Sequence, residues 1–294
     1  MSRHRTTAAI LFVLLATWAS SATAGAAVPN FVFPVVAKTT YTNDFGDPRW
    51  QGRHEGNDLM AAKRSPVVAV EPGRVVKWTT SRAAGCMLYL HGRSGTTYMY
   101  VHLNNDRTRR NDNRGGCRNG IAYAPGLARS QQVQAGQLIA YVGDSGDADG
   151  IASHLHFEVH PNGGRAVSPY LRLRAARHLL FARPPAAVRD ISLRIGGTVV
   201  LTRQNPERIR ISAALVRLSN GWRVRPARNV TLSLPSTAVV RRGTASGPST
   251  TATLADFKPG QRVTAWTNAF THNLTTAKAD PPLLTIRDLL LWNG

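Results

Sequence analysis

The chain has 294 residues, with 37 Lys and Arg against 16 Asp and Glu, which gives a formal net charge of +21. Its hydrophobic content of 43% excludes a wholly disordered or collagen-like chain, and its length predicts about two domains. Because 25 Gly and 17 Pro separate short apolar runs, we do not expect an all-helical bundle.

The N-terminus has the pattern of a secretory signal. Arg3 and Arg5 precede an apolar run at residues 8–19, and small residues follow around Ala24. The run is shorter than the roughly 20 residues that a membrane-spanning helix needs. We predict a cleaved signal over residues 1–26 and a mature chain without a transmembrane segment. It would be secreted, extracellular or periplasmic, and associated with the cell wall.

Export gives the two cysteines, Cys86 and Cys117, a clear interpretation. Two is the smallest number that can pair internally in an oxidising compartment. Neither cysteine has further Cys or His at the close spacing that a metal site needs. We predict a disulfide that closes a loop of about 30 residues and stabilises the fold by roughly 3–4 kcal/mol.

Strand-like runs separated by Gly, Pro and Asn/Asp dominate the first predicted domain, residues 27–185. The clearest runs are residues 66–70, 87–90, 97–101 and 137–142. One short helix is predicted at residues 169–178, before the breaker Pro184-Pro185, which we take as the domain boundary.

Residues 186–294 form the second predicted domain, with 15 basic and 5 acidic residues and therefore a net charge of +10. Strand-like runs are residues 191–195, 198–202, 208–216, 230–234 and 262–267. We predict a smaller β-sandwich or β-barrel of unknown role. The fold class is therefore all-β and mainly antiparallel.

The positive charge of both domains would attract polyanions. The sequence has no recognisable nucleic-acid-binding module, and an exported protein rarely meets its own genome. We expect anionic cell-wall polymers, and not nucleic acid, as candidate partners. The alternative is that the charge serves only solubility.

His54 and Asp58 form the first candidate site segment. On an extended strand their Cα atoms would be about 13 Å apart, too far to share one ion. Gly56-Asn57 can bend the chain and bring the imidazole and the carboxylate round one metal. The alternative is a polar loop without a metal.

His154 and His156 alternate with the apolar Leu155 and Phe157. On a strand, residues two apart point to the same face about 6.6–7 Å apart, so both histidines would face one groove. The alternative is a solvated strand face. A further candidate, His102, lies at a strand end before a polar loop.

The other five histidines lack a partner at metal-binding spacing and are interpreted as incidental. They are His4, His91, His160, His178 and His272.

Together, His54-x-x-x-Asp58, Tyr100-x-His102-Leu103 and His154-x-His156 resemble the lysostaphin-like zinc metalloendopeptidases, over about residues 33–170. The resemblance implies a β-sheet peptidase domain with a groove and hydrolysis of peptide cross-bridges or stem peptides of peptidoglycan.

The resemblance also implies one Zn²⁺ per chain, held by His54, Asp58 and His156, with a fourth position left for water. Zinc lowers the pKa of that water towards 7. His102 and His154 match the two unliganded histidines that act as general base or stabilise the oxyanion. Which of them does which stays open.

A long polar segment at residues 104–132 departs from the family pattern. It holds six Arg, two Asp and Cys117. We expect it to border the groove and shape substrate access; the alternative is a tolerated surface excursion.

A second function is also open. The chain would then be a non-enzymatic cell-wall-binding or regulatory protein that keeps the peptidase fold. Such a protein should have lost at least one of the five site residues, and all five are present.

Overall fold

The computed structural model describes residues 31–50, 52–182, 190–219, 223–224, 226, 229–244, 247–271, 275–276 and 284–293. Strands make up 49% of the structure and helices 7%, which confirms the predicted all-β class. Within these ranges, no helix has the length and apolar character needed to cross a membrane. The predicted signal at 1–26 and the predicted boundary at Pro184-Pro185 lie outside the described residues.

The part of the chain up to residue 182 contains twelve described strands and one α-helix. The strands are β1 (Thr39–Thr40), β2 (Pro48–Arg49), β3 (Gly52–Arg53), β4 (Asn57–Ala61), β5 (Pro66–Val68), β6 (Gly73–Ser81), β7 (Gly85–Gly92), β8 (Thr97–Leu103), β9 (Gln132–Val133), β10 (Leu138–Tyr141), β11 (His154–His160) and β12 (His178–Leu179). The helix is α1 (Tyr170–Ala175), and 3₁₀ turns cover Gly146–Ala148 and Pro161–Gly163.

Seven of these strands form one antiparallel sheet in the order β1-β4-β11-β8-β7-β6-β9. The alternation predicted for β11 is confirmed, because Leu155 and Phe157 are fully buried in the core below the sheet. Asp58 on β4 lies opposite His156 on β11, and Val101 on β8 lies opposite His156 on the other side. The sheet therefore brings three candidate site segments onto adjacent strands.

The predicted helix is shorter than expected. It ends at Ala175, and Ala176 has extended backbone angles. Arg177 then pairs with Val32, and the next two residues form β12. The prediction of helix up to His178 is wrong because these long-range backbone pairings replace the last helical turn.

The second half of the chain has eleven described strands. They are β13 (Asp190–Ile191), β14 (Leu193–Gln204), β15 (Glu207–Leu218), β16 (Arg223–Val224), β17 (Val230–Ser233), β18 (Val239–Gly243), β19 (Ser249–Thr251), β20 (Arg262–Thr267), β21 (Phe270–Thr271), β22 (Thr275–Thr276) and β23 (Leu284–Trp292). One 3₁₀ turn covers Leu254–Asp256.

Five of these strands close into a barrel. β14 pairs with β15 and β20, β15 pairs with β17, and β23 closes the ring by pairing with β20 and, in parallel, with β17. The barrel alternative of the prediction is thus confirmed. The runs predicted at 191–195 and 198–202 lie largely in the single strand β14, because Gly196-Gly197 forms a register shift and not a turn.

Two separate apolar clusters support the two halves. One is formed by buried residues between Phe31 and Ala182, and the other by buried residues between Leu180 and Leu291. The predicted domain limits themselves stay predictions.

Candidate metal centre and cleft

Three predicted ligand side chains converge on one point. His54 Nε2 lies 2.9 Å from His156 Nδ1, and Asp58 Oδ1 lies 3.1 Å from each of these nitrogens. Atoms that carry lone pairs approach this closely only when they share a cation, either a proton or a metal ion. In a tetrahedral zinc site with bonds of 2.0–2.1 Å, neighbouring ligand atoms are roughly 3.3 Å apart. The donor set and its spacing therefore fit zinc.

Close backbone packing places the first two ligands. The chain bends at Gly56, as predicted, and Asn57 begins β4. A Cβ atom on Gly56 would lie 2.6 Å from the Phe157 carbonyl oxygen and 2.9 Å from His156 Nε2. Only glycine lets β11 approach the bend closely enough for His156 to meet His54.

Further groups hold the ligand histidines in one tautomer. His54 Nδ1 donates to the Asp44 carbonyl oxygen over 2.8 Å. His156 Nε2 donates to Glu158 Oε1 over 2.9 Å, and the other oxygen of Glu158 accepts from His160 Nε2 over 2.6 Å. His54 Nε2 and His156 Nδ1 are thereby left for a metal. The interpretation of His160 as incidental is therefore wrong.

The charges of the site stabilise the ionised ligand set. Burial raises the pKa of Asp58, but hydrogen bonds from His156 and His54 hold this pKa far below its usual range. Burial lowers the pKa of His156, yet its hydrogen bonds to Asp58 and Glu158 raise it to about 9. Arg49 Nη2 lies 3.0 Å from the outer oxygen of Asp58. A metal ion must displace the proton on His156, so metal binding should strengthen as pH rises.

His102 and His154 lie beside this centre with their rings 5.0 Å apart. His102 Nδ1 donates to the Ser145 carbonyl oxygen, and His154 Nδ1 donates to that of Ala152, each over 2.9 Å. Because a carbonyl oxygen only accepts, both Nδ1 atoms carry hydrogen, and both Nε2 atoms are acceptors in the neutral rings. His154 Nε2 is 3.8 Å from Asp58 Oδ1.

The environment of His102 keeps its ring neutral. Burial, followed by the neighbouring His154, lowers the pKa of His102 to about 4. Its φ of 58° lies in the left-handed region, which is uncommon for residues other than glycine. The hydroxyl of Ser145 fixes the carbonyl that holds His102, since it donates to Leu103 O over 2.6 Å and accepts from Cys86 N over 2.8 Å.

All five predicted site residues line one open cleft of about 650 Å³. Its lining also includes two strongly exposed apolar side chains, Trp50, with 85% of its surface exposed, and Ile151, with 59%. Such exposed apolar groups beside a polar centre are typical of a ligand-binding site.

The segment at 104–132 contributes no residue to the cleft, so the expectation that it borders the groove is wrong. Instead, the segment contacts a residue next to the cleft lining. Asn111 and Asn113 donate to Asp149, directly after the 3₁₀ turn at Gly146–Ala148, whose last two residues line the cleft. The predicted disulfide between Cys86 and Cys117 is confirmed, with Cα atoms 5.2 Å apart.

A buried ion triad anchors the same segment. Lys63 Nζ lies 2.6 Å from Asp106 and 2.8 Å from Asp144, and both carboxylates are buried. The other oxygen of Asp106 accepts from the backbone N–H groups of Asp112 and Asn113, each over 2.7 Å. Since Asp144 precedes Ser145, the triad links the segment to the support of His102.

No protein-family model matches the chain. An L-Ala–D-Glu endopeptidase from Bacillus subtilis is 29% identical over 156 residues and is matched over 49% of this chain and 43% of its own length. This chain thus spans less than half of that relative.

Two solved structures are also similar. A structure assigned as a glycyl-glycine endopeptidase from Ruminococcus gnavus has 26% identity and a TM-score of 0.40, over 49% of this chain and 59% of its own. The catalytic domain of lysostaphin from Staphylococcus simulans has 23% identity and a TM-score of 0.35, over 46% of this chain and 92% of its own. The resemblance to lysostaphin-like peptidases expected from the motifs is confirmed.

Proposed function

We propose that this chain, whose N-terminal half resembles the lysostaphin-like peptidases, is a zinc endopeptidase that hydrolyses peptide bonds of bacterial peptidoglycan. The observation that carries the proposal is the convergence of His54, Asp58 and His156 beside two histidines with acceptor nitrogens in one cleft. The relative named for an L-Ala–D-Glu bond supports a substrate containing D-amino acids, as stem peptides do. Cross-bridges are the second substrate within the same proposal.

The chemistry divides among named side chains. His54, Asp58 and His156 would hold Zn²⁺, which lowers the pKa of a water molecule and polarises a carbonyl group. The His102 ring is neutral at pH 7, and its Nε2 takes the proton from the attacking water. A general base of this kind typically increases the reaction rate about 10²–10⁴-fold. His154, which lies 3.8 Å from the ligand Asp58, would stabilise the charge that develops on the scissile carbonyl oxygen.

The remaining parts of the proposal concern location and organisation. Residues 1–26 direct export, residues 27–185 form the peptidase with one zinc per chain, and residues 186–294 form a separate domain. The Cys86–Cys117 disulfide supports a location outside the cytoplasm, because such bonds persist in oxidising compartments, and the proposed peptidoglycan substrate supports a location at the cell wall.

The test uses the full chain and isolated wall sacculi, with mass spectrometry of the released fragments and metal analysis of the protein. The wild type should hold about one zinc and release peptide fragments. His102→Ala should keep zinc and lose release, whereas His91→Ala, an exposed histidine on β7 outside the cleft, should keep both. Folded protein without zinc would favour the non-enzymatic wall-binding alternative. Full release by His102→Ala would remove His102 from the mechanism.

A further inference from the structure

The second domain carries a row of arginines across three adjacent strands. Arg194 on β14 lies directly opposite Arg217 on β15, and Arg217 lies directly opposite Arg223 on β16. Arg194 and Arg217 alternate with buried residues and therefore point away from the barrel core. With strands about 4.8 Å apart, the three backbone positions span roughly 10 Å.

Among the described residues in register with this row, the acidic one is Asp288 on β23, beyond Trp266, and it pairs with Arg287. Like charges directly opposite each other destabilise a sheet. The ion pairs among the described residues of this domain are Arg242 with Asp256 and Arg287 with Asp288, and none includes the row. A bound anion would offset the repulsion between the arginines of the row.

An aromatic ring extends the row on the next strand. Trp266 on β20 lies opposite Arg194, whose guanidinium is 5.6 Å from the ring centre. Arg241 reaches the same ring from β18, on the other side of β20 in the sheet, at 5.9 Å. A cation–π contact orders a guanidinium group, and the N–H groups of an arginine fork suit two-point contacts with phosphate oxygens.

We propose that this surface, formed by Arg194, Arg217, Arg223 and Arg241, binds a phosphodiester-linked polyol polymer of the cell wall. Phosphate fits the planar fork of arginine. Single-stranded nucleic acid fits less well, because its binding proteins offer free aromatic faces to the bases, and two guanidinium groups already lie over the Trp266 ring. This binding goes beyond the proposed hydrolysis and does not depend on it.

The test measures binding of the full chain to poly(glycerol phosphate) at increasing salt. The logarithm of the affinity should fall linearly with the logarithm of salt concentration. Arg217→Gln/Arg223→Gln should weaken binding about tenfold or more and reduce the slope. The matched control Arg242→Gln/Lys258→Gln removes two exposed charges near Asp256 and should change the affinity by less than about threefold.

Each other outcome overturns the proposal. Equal losses in the two double variants would assign binding to net charge alone. Tighter binding of a single-stranded oligonucleotide of equal charge would make nucleic acid the partner, and absence of binding at low salt would remove the site. The Tm of Arg217→Gln/Arg223→Gln should stay unchanged or rise, since repulsion is relieved. A lowered Tm would assign these arginines a structural role instead.

Discussion

Replacing Glu158 with Gln tests how the site holds its metal ligand. In the wild type, one carboxylate accepts from both His156 Nε2 and His160 Nε2, over 2.9 and 2.6 Å. An amide has the same shape but only one acceptor oxygen, and its NH₂ group can donate to His160 Nε2 because His160 Nδ1 holds its hydrogen against the Gly164 carbonyl oxygen over 2.9 Å. Where its NH₂ group faces His156, that ring must keep its hydrogen on Nδ1 and loses the lone pair that would bind the metal.

We expect Glu158→Gln to weaken zinc binding. Losing such a supporting contact typically costs 10–100-fold in metal affinity, which is about 1.4–2.7 kcal/mol. The smaller value applies when the amide oxygen turns to His156, and the larger value when it turns to His160. Competition with a chromogenic chelator at constant pH measures the zinc affinity of each variant.

A second substitution separates this reasoning from a general loss of structure. In Glu158→Gln, His160 Nε2 can accept from the amide NH₂ group and so turn the amide oxygen towards His156. Glu158→Gln/His160→Ala removes this orientation and should bind zinc less tightly than Glu158→Gln alone, whereas His160→Ala keeps the carboxylate and should change the affinity less; a double-mutant cycle measures the coupling. Wild-type affinity in Glu158→Gln, or tighter binding by the double variant, would refute the argument.

Three further predictions concern stability and zinc binding. In metal-free protein, the pKa of His102 is about 4 in the folded state and about 6.5 in the unfolded state, so the unfolded state binds more protons between these pH values. The free energy of unfolding should therefore fall by up to about 3 kcal/mol as the pH drops from 6.5 to 4. Urea titrations of His102→Gln should lack this contribution. Cys86→Ala/Cys117→Ala frees a loop with a sequence separation of 31 residues and should lower the free energy of unfolding by about 3–4 kcal/mol; a loss below about 1 kcal/mol would contradict the chain-entropy argument. Gly56→Ala places a methyl group against the Phe157 carbonyl oxygen and should lower the free energy of unfolding by about 1–3 kcal/mol and weaken zinc binding. Unchanged zinc affinity would show that β11 can shift without moving His156 away from His54.

The sequence predicted the strand that carries the histidines, because period-two alternation is a local property. Leu155 and Phe157 are buried as expected, and His154 and His156 share the opposite face. The same alternation continues through Glu158 and His160, so their place beside His156 was readable from the pattern. The convergence of His54 with His156 came only from the family resemblance, since 102 residues separate them.

Other parts of the site left no signal in the side-chain pattern. The groups that fix His54, His102 and His154 are backbone carbonyls, at Asp44, Ser145 and Ala152, and any residue type provides a carbonyl.

The closure of the barrel could not be predicted from the local sequence pattern either. It depends on the parallel pairing of β17 with β23, whose strands are about fifty residues apart. Leu284–Trp292 was not predicted as a strand, and long-range pairing of this kind is not encoded in any local window.

The triad of Lys63, Asp106 and Asp144 makes the segment at 104–132 a poor candidate for trimming. Deleting it would remove Asp106 and leave the Lys63 ammonium group with one partner fewer, beside Asp144 and the serine that orients a proposed general base. Transplanting the segment into another peptidase would fail for the same reason unless Lys63 and Asp144 were moved with it. The structural unit therefore consists of three separate pieces of chain, and an engineer would have to treat them as one.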